Sequence, residues 1–291
     1  MIYLTLNSDG SGNVSSSLPI QTKHTSEGES VITQIYLNNS PARANVSPDL
    51  NPPPLIYTSI KLNVEGVSYI LAQALISSIS DTSVICDSID GFNIGTILKV
   101  GLERMRVEEV LSGTSIRVTR NYTADGKSST MSSHSIGAVL TADTSAVSLA
   151  LPDPSDTTYN TAGTFLAAGA SITTGIDPSI LTLAVDNLDT SNIIKSNNAL
   201  KYAVGSTIKI DSEEMKVVAV SGVDIQVLRG YNGTSRASHN QNAIIYLVGL
   251  VDLSPVTHKV FVKNDPPAGL PTQKKKDVKI VIVADEEPAW F

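Results

Sequence analysis

Short runs in which apolar and polar residues alternate, separated by turn-forming residues, recur from one end of the chain to the other. Alternation at period two is the signature of half-buried strands, so the pattern predicts an all-β protein. The first 70 residues read as strands at Met1–Leu6, Ser30–Leu37 and Leu55–Val64, with Tyr57 and Ile60 as expected core members. Between them lie a polar loop, Asn7–Ser17, and a proline-rich crossing, Ser40–Pro54. The next block predicts strands at Ser83–Asp87, Thr96–Val100, Glu103–Leu111 and Ser115–Arg120, closed by Ile136–Leu140. In the third of these, Met105 and Val107 fall on the inner side, and Arg104, Arg106 and Glu108 face out. Val110 breaks the parity and turns inward only if the strand bulges near Glu109.

Part of this pattern is written twice. GTILKVGLERMRVEEV at 95–110 returns as GSTIKIDSEEMKVVAV at 205–220, an offset of 110 that matches Glu103 with Glu213, Met105 with Met215 and Val107 with Val217. After a one-residue slip Arg120 meets Arg229 and Tyr122 meets Tyr231; after a shorter loop His134 meets His239. A period this long marks a duplicated domain rather than a solenoid, whose units run about 20–50 residues. The second copy predicts strands at Ile180–Val185, Thr207–Asp211, Glu214–Val220 and Asp224–Arg229, with short helical turns near Thr190–Asn198 that have no counterpart in the first. Each unit, with about five short strands, reads as a small β-barrel. His258–Lys263 and Asp277–Ala284 are two further strands, the latter with Val278, Ile280 and Ile282 on one face. Two strands alone are marginal, so they are expected to pair with the N-terminal ones. The expected fold is all-β: a β-sandwich formed by the two termini, with two inserted, duplicated small β-barrel domains. Its parts are 1–70, the first repeat 71–142, a Ser/Thr/Asp/Pro-rich linker 143–165, the second repeat 166–248, and 249–291.

Composition narrows the function classes. The chain of 291 residues is 41% hydrophobic, 5% aromatic and 17% charged, with 19 Gly and 14 Pro. Its net charge of −7 argues against a nucleic-acid groove, which needs a basic stripe. Lys274-Lys275-Lys276 is a local exception, read as a solvated loop. Cys86 is the single cysteine, which excludes an intramolecular disulfide and a thiolate cluster; a buried packing role is expected. No apolar stretch approaches the roughly 18–20 residues that span a bilayer, and the N-terminus lacks a secretory signal pattern. A soluble protein without a membrane partner is expected.

Candidate chemistry is sparse. His24, His134, His239 and His258 show no metal-pair spacing. His134 and His239 occupy matched places, and the side chain of each is expected to tie a long loop to its barrel through a hydrogen bond to backbone. Arg229-Gly230-Tyr231-Asn232-Gly233-Thr234 lacks the elements of a phosphate loop and reads as a structural corner; the first copy has Asn121 for Gly230. Glu108-Glu109 and Glu213-Glu214 are adjacent on strands, so each pair points to opposite faces. Asp177, Asp186, Asp189 and Asp211 lack calcium-loop spacing. The N-x-S/T strings such as Asn45-Val46-Ser47 are background in this composition. No catalytic, cofactor or metal site is expected, and no enzymatic activity.

The second copy, IKIDSEEMKVVAVSGVDIQVLRGYNGTSRASHNQNA, resembles a short β module of structural proteins of tailed bacteriophages. Glu29–Asn39, Tyr57–Ile60, Lys259–Lys263, Pro267–Gly269 and Asp277–Ile280 resemble the sandwich strands and loops of tail and baseplate proteins. The first copy departs from the module at Asn121 and at Ala124-Asp125, where the second has Gly233-Thr234. The resemblance implies a virion component of the tail or baseplate, acting through contacts with other virion proteins and copies of itself. Asn7–Thr25 and Ser40–Pro54 are then expected to be docking arms. A capsid decoration or neck protein is the neighbouring alternative. A host-glycan module, with Tyr122, Tyr202, Tyr231, Tyr246 and Trp290 as stacking platforms, and a hydrolase whose carboxylates meet only in the fold are alternatives of other classes.

Overall fold

The computed structural model describes residues 2–5, 17–19, 30–39, 55–251, 257–265 and 277–288. Within them the chain is all-β, built from antiparallel sheets, with 3-10 turns at Ala199–Lys201 and Tyr231–Gly233. The N-terminal strands are β1 (Ile2–Thr5), β2 (Ser17–Pro19), β3 (Val31–Asn39) and β4 (Leu55–Gly66). The first repeat holds β5 (Ser68–Ile70), β6 (Ser83–Ile85), β7 (Ile97–Val100), β8 (Glu103–Val110), β9 (Ser115–Thr119) and β10 (Val139–Ala142). Then come β11 (Val147–Ala150), β12 (Ile176–Ile180), β13 (Ile193–Lys195), β14 (Thr207–Ile210), β15 (Glu213–Ser221), β16 (Asp224–Leu228) and β17 (Ile244–Val251). β18 (Thr257–Asn264) and β19 (Val278–Pro288) complete the set.

The first repeat is a six-stranded sheet, β5-β10-β7-β8-β9-β6. Its outer strands meet just past their ends, where Ala72 N–H donates to Ile85 O at 2.8 Å and Asp87 N–H to Ile70 O at 3.0 Å. The second repeat has the same order: Thr182 N–H donates to Lys195 O at 2.8 Å and Asn197 N–H to Ile180 O at 3.1 Å. β13 stands where the helical turns were expected. It matches β6, because Val84 and Ile194 are both fully buried against the partner strands β9 and β16. Sequence reading missed it because a single buried residue, flanked by the exposed Ile193 and by Lys195, carries no period.

The two repeats differ in their cores. Leu71, Val84, Leu98, Met105, Val107, Ile116 and Val118 belong to a core confined to the first unit. Met215, Val217, Ile225 and Val227 instead share one core with Leu4, Leu37, Tyr57, Val260 and Ile280. The cause is β17, which crosses residues 248–249 unbroken. Its early part pairs with β12 and β14, and its end, Leu250 and Val251, with β4. The nine-stranded sheet thus runs β13-β16-β15-β14-β17-β4-β19-β2, with β12 on β17. A four-stranded sheet, β1-β3-β18-β11, is separate. The stretch 143–165, expected to be a linker, supplies β11, whose Val147 and Leu149 are fully buried. Ser17–Pro19, expected within a docking arm, is a strand on β19. The rest of Asn7–Thr25, the crossing Ser40–Pro54, His24, Asn45, Lys274–Lys276 and Trp290 lie outside the described residues.

Strand irregularities explain the parity breaks. Tyr57 and Ile60 are both buried, although an odd spacing puts them on opposite faces of a regular strand. β4 carries an extra residue where its register with β19 shifts between Val283 and Asp285, and Ser59 adopts φ +53° there. The bulge expected in β8 is present at Glu108, with its counterpart at Val218 in β15. It does not bury Val110, which stays 43% exposed.

Candidate functional site

The matched ionisable residues of the duplication converge on two buried clusters. In the first unit the Glu103 carboxylate accepts from Arg120 Nε and, at 2.7 Å, from Arg120 Nη2. His134 Nε2 lies 2.8 Å from Glu103 Oε2. The remaining guanidinium donors go to loop carbonyls: Ile76 O at 3.1 Å, Asp81 O at 3.2 Å and Ser132 O at 3.0 Å. In the second unit Arg229 Nε and Nη2 donate to Glu213 at 2.9 and 2.6 Å, and His239 Nε2 lies 2.9 Å from Oε2. Arg229 also donates to Asp186 O at 2.8 Å and to Ala237 O. Backbone N–H groups of Gly230 and Ala237 donate to the carboxylate at 3.0 and 2.9 Å.

Both glutamates are fully buried, and the arginines nearly so. Burial pushes each carboxyl up, but the bonds from Arg120 and His134 outweigh it at Glu103. The bonds from Arg229, the Ala237 N–H and His239 do the same at Glu213, taking it to about 2. A bidentate arginine with further donors is the arrangement that makes a buried pair tolerable. Each cluster pins two loops to the sheet.

The expectation for His134 and His239 needs correction in its partner. Their rings bind the glutamates rather than backbone, while their main chains bridge to Leu75 and Val185. Arg104, expected to face out, is buried: it clamps Asp125 with bonds of 2.7 and 2.6 Å and reaches Asp143 at 2.8 Å. Its counterpart Glu214 instead accepts from Asn232 Nδ2 at 2.9 Å. Opposite charges at one position therefore hold the matched loops, those after β9 and β16, through different partners.

The corner at Gly230 has a steric cause. Gly230 sits at φ +66° and Asn121, its counterpart, at φ +54°. Asn is among the few side chains that occupy this region readily, so the drift from Gly preserves the turn. Gly101 and Asp211 repeat the relation at φ +58° and +51°. Asp211 Oδ2 lies 2.8 Å from His239 Nδ1, so the ring stands between two carboxylates.

A third buried cluster joins the second unit to the four-stranded sheet. Asp177, fully buried on β12, accepts from Lys201 Nζ at 2.9 Å and lies 3.0 Å from His258 Nδ1 on β18. Burial raises the Asp177 carboxyl, and the charges of His258 and Lys201 overcome it and hold it low. Sequence reading had no signal for this trio, whose members lie 24 and 81 residues apart.

The other candidates separate. Glu108 accepts from Thr119 and Glu109 pairs with Arg117. Asp186 and Asp189 accept from local backbone N–H groups. Tyr202 is buried, with its hydroxyl 2.6 Å from Ser179 Oγ and 3.2 Å from Ile245 O. Tyr122 and Tyr231 carry matched cations over their rings, Arg106 at 6.0 Å and Lys216 at 5.8 Å. No group of three or more His, Cys, Asp or Glu among the described residues is arranged to hold a metal ion. No helix among them is long and apolar enough to cross a membrane. Open grooves lie among the described residues. One, of about 430 Å³, lies between segment 151–174 and β17; another, of about 400 Å³, includes Lys61, Lys209 and Glu214. No protein-family model matches the chain, and no curated protein matches it in sequence.

Proposed function

We propose that the chain is a non-enzymatic structural component of a tailed-phage virion, in the tail or baseplate. It works there through contacts with other virion proteins and with copies of itself. The observation that carries this reading is the fate of the matched ionisable residues. In both copies Glu, Arg and His are buried and bonded to one another and to loop backbone, so the duplication multiplied a building block. The phage-module resemblance supplies the kind of assembly. In this reading the terminal strands form a sandwich and each repeat is a small barrel, for which the bonds joining β5 to β6 and β12 to β13 argue. The net charge of −7 favours protein partners over nucleic acid. The test is purification of the full chain from cells that make the particles. The reading expects it to co-sediment with them and to resist a high-salt wash; a chain found only in the free monomeric fraction would overturn it.

A further inference from the structure

The duplication contains its own template for a docking face. Val139 pairs with Ile70 on β10 and β5 as Ile244 pairs with Ile180 on β17 and β12. At the end of this face stands an Asp in one copy and an Asn in the other. Asp87 Oδ1 accepts from Ile70 N–H at 2.8 Å, and Asn197 Oδ1 from Ile180 N–H at 2.9 Å. In the second unit the chain's own segment 151–166 is drawn against the face. Asn197 Nδ2 donates to Pro154 O at 2.9 Å, and Leu151, Pro152 and Leu166 line one groove with Ile244 and Tyr246. In the first unit no described segment does this, and Ile70 and Val139 stand 47% and 56% exposed, against 36% for Ile244. The same apolar pair is thus more open on one copy and approached by a segment on the other.

The residue at the end of the face says what the occupant carries. Asp87 uses Oδ1 for Ile70 N–H and for Ser88 N–H at 3.0 Å. Its second oxygen therefore takes the place of Asn197 Nδ2, and an acceptor replaces a donor. A carbonyl like that of Pro154 would be repelled there, and a cation would be held. We propose that the β5–β10 face of the first unit docks an extended, apolar protein segment that places a Lys or Arg side chain on Asp87. This goes beyond the virion reading and does not rest on it, because peptide binding needs no particle.

The test uses the full chain and two fluorescent peptides in an anisotropy titration. One peptide has the sequence of residues 149–167; the other is the same with Pro154→Lys. The wild-type chain is expected to bind the lysine peptide about three- to fivefold more tightly, the scale of an exposed ion pair. Asp87→Asn is expected to abolish or invert that preference, and Val139→Glu to remove binding of both. Each variant is first checked for an unchanged melting temperature, which exposed positions permit. Equal affinity for the two peptides in the wild-type chain would overturn the proposal. So would a preference that survives Asp87→Asn, binding that survives Val139→Glu, or no binding of either peptide in the millimolar range.

Discussion

Replacing Glu213 with Gln keeps the side chain's shape and removes its charge from a site with five donor groups. Arg229 supplies two of them, Gly230 N–H and Ala237 N–H one each, and His239 the fifth. The amide nitrogen of Gln then faces a donor, and the buried guanidinium loses its counter-charge. Breaking a buried pair by removing one partner costs about 3–5 kcal/mol. Linkage gives an independent figure. A carboxyl lowered from its ordinary 4.5 to about 2 by folding contributes about 3 kcal/mol. The sign follows from the direction: the contribution is complete above the ordinary value and fades as pH falls towards the folded one. At pH 3 the wild-type protein has lost about 2 kcal/mol of it, so the gap to Glu213→Gln narrows by that amount. Urea unfolding followed by far-ultraviolet circular dichroism, at pH 7 and pH 3, measures both. The double variant Glu213→Leu/Arg229→Met, which removes both charges, is expected to recover only part of the loss, because the Gly230 and Ala237 N–H groups and the Asp186 and Ala237 carbonyls then lose their partners. A cost below about 1 kcal/mol at pH 7, or the same cost at both pH values, would refute the fastener account.

Asp177→Asn leaves the largely buried Lys201 without its counter-charge; a loss of about 3 kcal/mol is expected in the same unfolding assay, smaller in acid because the Asp177 carboxyl is held low. Gly175 sits at φ +113°, and a Cβ there would lie 2.8 Å from Leu247 O, so Gly175→Ala is expected to destabilise by more than about 1 kcal/mol, read as a lower urea midpoint. Burial, and then the charge of Asp87, push the Cys86 thiol up to about 11, so a thiol reagent at pH 8 is expected to react only after urea is added; rapid reaction of the folded chain would contradict the packing.

The fold class was legible because period-two alternation survives wherever a strand has one buried face. Val278, Ile280 and Ile282 are buried as the pattern predicts. It failed where a strand has only one buried residue, as at Ile194, and where burial comes from a loop rather than from the sheet. Arg104 sits on the polar side of the alternation, yet Asp125 and the loop that carries it close over it. The duplication exposed Arg120, Arg229, His134 and His239 as related positions. It does not show that their partner is Glu103 or Glu213, because strand pattern and chain-neighbour pairing say nothing of a contact 16 or 17 residues away. A rule that asks which matched charges of opposite sign need each other would have found them. The Asp177, Lys201 and His258 trio lies at a junction present once in the chain, so no repeat could signal it.

Electron cryomicroscopy of the intact particles at side-chain resolution tests the central claim most directly. The account predicts density for both repeats in multiple, symmetry-related copies, with outer surfaces in contact with neighbouring subunits and with Glu103–Arg120 and Glu213–Arg229 closed inside. Particles that lack the chain, or a map in which either glutamate opens onto a bound small molecule, would contradict it.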